Sequence, residues 1–192
     1  MVLFFSPVMR RYYELLQALD QWFASMQARH PEQMQCRKGC AFCCHGLFDI
    51  SLADAVLVAR GFEALPAGSC ARVSARARTI QRAIQRQAPA LLPPYLLQEP
   101  GSDLIDEIVS GVSGAACPFL GERNECLIYA HRPFACRMEG VPMVDGREGL
   151  FGDWCELNFT EGVKGALTDE LALDYGGMQG KPRTRSAVTW RA

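Results

Sequence analysis

The sequence predicts a small, mainly α-helical single domain: amphipathic helices, an irregular loop-rich cysteine region and at most one short hairpin. Three observations carry this expectation. Apolar residues recur at three- and four-residue spacing through most of the first two thirds of the chain, which is the period of a helix with one buried face. Beyond Cys117 that period is lost, and short apolar pieces alternate with Gly, Pro and Asp. The chain has 192 residues, 49% of them hydrophobic and 21% charged, which suits one domain with a core of its own and excludes the disordered class.

Taken in order, Ser6-Pro7 is a helix start, and Tyr12, Leu15, Leu16, Leu19, Trp22, Phe23 and Met26 form one stripe up to His30-Pro31. This N-terminal helix accounts for residues 1–31, and its aromatic stripe reads as core. The cysteine run 36–44 follows in a loop. Ser51 with Asp54 three residues later matches a capping box, opening a second helix that ends near Gly61 and buries Leu52, Val56, Ala59 and Phe62. A third helix from Cys70 to Ala88 carries Val73, Ala77, Ile80 and Ile84 on one side and Arg72, Arg76, Arg78, Arg82 and Arg86 on the rest. That basic face lacks interleaved aromatics, so it reads as a solvated surface and nucleic acid is not expected as a partner.

Pro89, Pro93 and Pro94 interrupt the helix, and Ser102 or Asp103 caps a fourth one through Leu104, Ile105, Ile108 and Val109. Asp103, Asp106 and Glu107 fall in or near its first turn, where acids favour the helix dipole, and so need no catalytic reading. Val141 to Phe151 predicts a hairpin turning at Asp145-Gly146. One more short helix is expected after Thr160, and then a loosely ordered tail over residues 176–192.

A formal net charge of −1 gives no whole-molecule attraction to polyanions or membranes. The opening Met-Val-Leu-Phe-Phe-Ser-Pro has no basic residue and no small-residue cleavage site, and no apolar stretch approaches the ~20 residues of a membrane span. The expectation is a cytoplasmic protein without a membrane partner. In a reducing compartment the nine cysteines do not serve as disulfides, and clustered thiols there bind metal or do redox chemistry.

Cys36-Arg-Lys-Gly-Cys40-Ala-Phe-Cys43-Cys44 places four thiols in one loop. Gly39 frees the backbone just before Cys40, and the Cys-x-x-Cys step lets two sulfurs reach one centre. Adjacent side chains diverge, so the pair Cys43-Cys44 suits two metals, or a cluster with a spare thiol, better than one ion. A second set, Cys117, Cys126, Cys136 and Cys155, lies in the region poorest in apolar residues, where a metal would supply folding energy. Cys70 stands alone at a helix start and reads as a small buried hydrophobe. Metal ligands are therefore sought among Cys36, Cys40, Cys43, Cys44, Cys117, Cys126, Cys136 and Cys155, with the two blocks meeting in space around four converging sulfurs.

The order Cys36-x3-Cys40-x2-Cys43-Cys44, Cys117-Pro-Phe-Leu and Cys126-Leu-Ile-Tyr-Ala-His-Arg-Pro-Phe-Ala-Cys136-Arg resembles the zinc- or iron-chelating cysteine-cluster family of the YkgJ type, over roughly residues 36–155. The resemblance implies metal binding and, more faintly, iron–sulfur oxidoreductase chemistry. It also implies kinship with the cysteine region of flagellin lysine methylases, where an iron–sulfur cluster is implied. Cys36-x3-Cys40-x2-Cys43 also fits the three-cysteine signature of radical S-adenosylmethionine enzymes. A helix before the signature, a fourth cysteine after it and no strand–helix alternation oppose that alternative.

Adjacent cysteines and the lack of two clean Cys-x-x-Cys knuckles favour a [4Fe–4S] cluster, with zinc as the alternative. His45 and His131 read as hydrogen-bond partners of ligating thiols. Arg132 and Arg137 flank Cys136, where they either offset thiolate charge or form ordinary ion pairs. Two function classes stay open: a redox or catalytic centre served by a protein redox partner, and a zinc-stapled adaptor module. No Ser/His/Asp set, phosphate loop or dinucleotide motif names a substrate, so enzyme status is open.

Overall fold

In the computed structural model the first four helices lie where the 3.6-residue period places them, and a short one over Phe134–Met138 was not expected; the structure describes residues 7–97, 103–112, 114–145, 149–151, 154–163, 171 and 186–191. The order is α1 (Pro7–Arg29), β1 (Gly46–Ser51), α2 (Leu52–Glu63), α3 (Ala67–Gln87), α4 (Asp103–Gly111), a 3-10 turn (Tyr129–His131), α5 (Phe134–Met138), β2 (Met143–Asp145), β3 (Gly149–Phe151) and β4 (Ser186–Arg191). The fold is mainly α, as expected. The chain divides into two compact units, one of Met1–Arg37 and Ala135–Arg183, the other of Lys38–Phe134 and Thr184–Ala192.

In the first unit α1 buries Met9, Leu16, Leu19 and Met26, the predicted stripe extended by one turn towards its start. Met26 joins Met34, Val141, Phe159 and Leu171 in a core against which Trp22, Phe23, Trp154 and Val163 pack. The chain leaves the helix through His30, whose amide donates to Met26 O at 2.9 Å, and Phe159 N–H donates to Gln33 O at 2.8 Å, holding the 154–163 segment against this exit. Arg137 is buried and meets its charge in Asp20 on α1, which stays half-exposed. The expected hairpin is present as β2 and β3, paired antiparallel from Met143↔Phe151 to Asp145↔Gly149. Gly146, in the predicted turn, lies outside the described residues, as does the predicted helix after Thr160 apart from the helical, buried Leu171.

The second unit is organised around Leu47, Ile80, Ile84, Ala88, Leu91, Leu97, Ile108 and Val112. Val73, Ile80 and Ile84 of α3 are buried as predicted. The capping box of α2 is also present: Ser51 Oγ accepts the Asp54 amide at 3.1 Å, and Asp54 Oδ2 accepts the Ser51 amide at 3.1 Å. The buried face of α2 differs from the expectation. Asp54, Leu57 and Gly61 face inwards while Leu52 is 42% exposed. The polar cap fixes this rotation, because the same Asp54 carboxylate accepts the Phe134 amide on Oδ1 at 2.8 Å, so the helix turns that residue inwards. Gly61 then lies close against Ile128 and His131: a Cβ there would lie 2.8 Å from His131 Cβ and 2.9 Å from Ile128 Cβ.

A second strand pair was not expected. β1 pairs antiparallel with β4 from Gly46↔Arg191 to Ser51↔Ser186. Of the tail expected to be loose, residues 176–185 lie outside the described residues and Ser186–Arg191 forms this strand. Val188, Thr189 and Trp190 are strand formers, but a partner so far away in sequence gives no local signal. Among the described residues no helix is long and apolar enough to cross a membrane.

Candidate metal centre

Two short ladders bring distant thiols together in the second unit. Cys117 N–H donates to Cys44 O at 2.8 Å and Gly46 N–H to Ala115 O at 2.8 Å, with His45 opposite Ala116 between them. The end of the first cysteine block is thereby held against Cys117. From Cys117 the chain turns at once, Leu120 N–H donating to Cys117 O at 3.0 Å, and returns through Gly121 N–H to Glu125 O at 2.7 Å and Leu127 N–H to Phe119 O at 2.9 Å. Asn124 turns the corner at φ 59°. Cys126 therefore comes back opposite Leu120.

The thiols so gathered affect one another. Burial pushes the Cys117 thiol up to about 11 against partial relief from the Phe119 amide, and neighbouring Cys126 and Cys43 raise it further. Cys126 is likewise raised, first by burial and also by Cys43, while the Ile128 amide and the Arg132 cation oppose the shift. Cys43, Cys117 and Cys126 thus share one electrostatic environment, which disfavours bare thiolates and suits a bound cation. Cys40 follows Gly39, which holds φ +88° and runs beside Arg123 O, an ideal Cβ standing 3.8 Å from that oxygen. This places the loop ahead of Cys40 beside the turn that carries Cys126. His45 Nδ1–H donates to Ala41 O at 3.1 Å and Cys44 N–H to the same oxygen at 2.9 Å, so His45 braces the cysteine loop through its backbone.

The first unit holds a different pair. Gly140, at φ +94°, leaves room that the Cys36 sulfur fills: a Cβ there would stand 3.0 Å from Cys36 Sγ and 3.7 Å from Cys155 Cβ. Asn158, fully buried, donates Nδ2–H to Cys36 Sγ at 3.1 Å and to Gly140 O, while its Oδ1 accepts the Gln35 amide at 2.6 Å. Cys136 belongs to the same unit, on α5, one helical turn before Gly140. Neither Asn158 nor Gly140 was singled out in the sequence, where a single Asn or Gly carries no spacing signal.

The remaining candidates take ordinary places. Cys70 directs its thiol to Phe62 O and Leu65 O, both at 3.4 Å, at the end of α2. Arg137 forms the ion pair with Asp20. Arg132 stacks on Tyr129, 3.6 Å from the ring centroid, and favours the charge of Cys126. Among the described residues no three His, Cys, Asp or Glu side chains lie at the spacing of one ion. By type the donor set fits: clustered thiols in desolvated loops are ligands for zinc and for iron–sulfur clusters.

The model of one family, described as "Putative zinc- or iron-chelating domain" and designated CxxCxxCC, matches residues 35–156, more than half of the chain. The chain belongs to the CxxCxxCC family. Comparison with curated proteins and with solved structures gives no match. All nine cysteines, the eight ligand candidates and Cys70, fall within the matched span; Asn158 lies just beyond it. The CxxCxxCC assignment supports metal binding by this chain.

Proposed function

We propose that this CxxCxxCC protein holds a [4Fe–4S] cluster, with Cys40, Cys43, Cys117 and Cys126 as the ligands supplied by the unit of Lys38–Phe134. The observation that carries this reading is the mutual placement of the exposed Cys43 and the desolvated Cys117 and Cys126, thiols whose charges oppose one another until a metal centre neutralises them. Thiols delivered as one Cys-x-x-Cys step and two isolated residues favour a cluster over zinc, which is more often gripped by two such steps. Such a cluster supplies one-electron redox chemistry when bound.

The chain's own residues prepare that site. The ladder between Cys44 and Cys117 fixes the approach of the two blocks, the Pro118 turn returns Cys126, and Arg132 offsets part of the thiolate charge at Cys126. Cys36, Cys136 and Cys155 of the other unit are further metal ligands in this reading, and a protein redox partner is the expected counterpart. Anaerobic purification followed by iron, sulfide and zinc analysis tests the proposal. Brown protein with equal iron and sulfide, lost in Cys126→Ser, supports it. Colourless protein with stoichiometric zinc overturns the cluster in favour of a zinc-stapled module.

A further inference from the structure

We infer that Asn158, outside the span matched by the family, is a positioning residue for metal binding within its own unit, holding the Cys36 sulfur through its side-chain amide. The inference rests on the reading of Cys36 as a ligand. Asn158 has no exposed surface, and each polar atom of its amide has a fixed task. Oδ1 takes the Gln35 amide at 2.6 Å, the residue next to Cys36. Nδ2 donates to Gly140 O, the backbone over which the sulfur packs, and to Cys36 Sγ itself at 3.1 Å. The Asn158 backbone is held in turn, its carbonyl accepting Trp154 Nε1–H at 3.0 Å and its amide donating to Cys155 O at 2.9 Å. One side chain thus joins the backbone beside Cys36, the sulfur of Cys36 and the glycine that separates it from Cys155.

The direction of the N–H matters. A donor aimed at sulfur is satisfied by a thiol and better satisfied by a metal-bound thiolate, whose sulfur is a stronger acceptor. Asn158→Asp keeps the shape and keeps an acceptor for the Gln35 amide, but turns a carboxylate oxygen towards Cys36 Sγ. The sulfur then becomes a poorer ligand without any change in the number of thiols.

The test is a double-mutant cycle on the full, reduced, metal-free chain titrated with Cd(II) against a competing chelator, with absorption of the sulfur–cadmium bond as the signal. Asn158→Asp in the wild-type background is expected to lower Cd(II) affinity about 10–100-fold, the usual effect of losing a ligand's hydrogen-bond partner. In the Cys36→Ser background it is expected to lower it no further, because the sulfur it acts through is gone. An equal loss in both backgrounds means that Asn158 only supports the fold, and overturns the inference. No loss in the wild-type background, or a Cys36→Ser protein that binds Cd(II) as tightly as wild type, also overturns it. In that last case loss of binding in Cys126→Ser would leave the proposed metal site standing, whereas a wild-type chain that takes up no Cd(II) sinks both. Should the aspartate variant fail to fold, the Asn158 side-chain amide resonances of ¹⁵N-labelled protein decide. They are expected to shift on Cd(II) loading in wild type and to stay in place in Cys36→Ser; no shift in wild type overturns the inference.

Discussion

Replacing Gly140 by Ala separates two costs that the structure allows to be measured apart. The first is backbone strain: Gly140 sits at φ +94°, where a side chain is disfavoured. Holding an L-residue at positive φ costs about 1–2 kcal/mol. The second is steric, since the new methyl would stand 3.0 Å from Cys36 Sγ, 3.3 Å from Asn158 Nδ2 and 3.7 Å from Cys155 Cβ. Crowding a packed position in this way costs about 1–3 kcal/mol. Gly162, in the same unit at φ +78° with nothing within 4 Å of its ideal Cβ, supplies the control for the first cost alone. Gly140→Ala should therefore destabilise the metal-free, reduced protein by about 1–3 kcal/mol more than Gly162→Ala, the steric part of the two. Equilibrium urea unfolding of both variants measures the difference, provided their slopes agree. Metal affinity should fall in Gly140→Ala and be retained in Gly162→Ala. Equal stability losses would refute the packing of the Cys36 sulfur on Gly140.

Gly61→Ala should lower the melting temperature although alanine is the better helix former by about 1 kcal/mol, because a Cβ 2.8 Å from His131 Cβ must displace the 3-10 turn; a rise would refute that close approach. Asp54→Ala should cost about 2–3 kcal/mol and Ser51→Ala about 1 kcal/mol in urea unfolding, since only the former also orphans the Phe134 amide; the reverse order would refute the double role of Asp54. The metal-free protein should lose stability between pH 9 and about 11, because Cys117 keeps its proton in the fold after the unfolded chain has released it. The contribution is complete below pH 9 and gone once pH passes the folded value, with an upper bound of about 2–3 kcal/mol for a shift of this size. Cys117→Ser should flatten this part of the stability–pH profile, and an unchanged slope in that variant would remove Cys117 as its source.

Where the signal is local, the sequence was readable. The stripe of α1, the Val73, Ile80 and Ile84 face of α3, the Ser51–Asp54 box and the hairpin of β2 and β3 all follow from residues within a few positions of one another. The face of α2 was misread because it was chosen by counting apolar residues. Its rotation is set instead by a carboxylate with a distant partner and by a glycine that must lie against Ile128. The pairing of β1 with β4 escaped for a related reason, since a strand of ordinary composition declares its partner only through the fold.

The cysteines divide along the same line. Residue type and spacing were enough to point to metal binding, for that depends on chemistry and on short loops. Spacing does not say which thiols share a neighbourhood. The Cys36 sulfur packs on Gly140 and takes its hydrogen bond from Asn158. Cys43 finds Cys117 and Cys126, brought to it by main-chain ladders at Cys44 and Leu120. Those ladders are made by backbone groups that every residue possesses, so nothing in the identity of the side chains announces them. What selects the grouping is the positive φ of Gly39 and Gly140 and the buried amide of Asn158, single residues whose importance lies wholly in what the chain brings next to them.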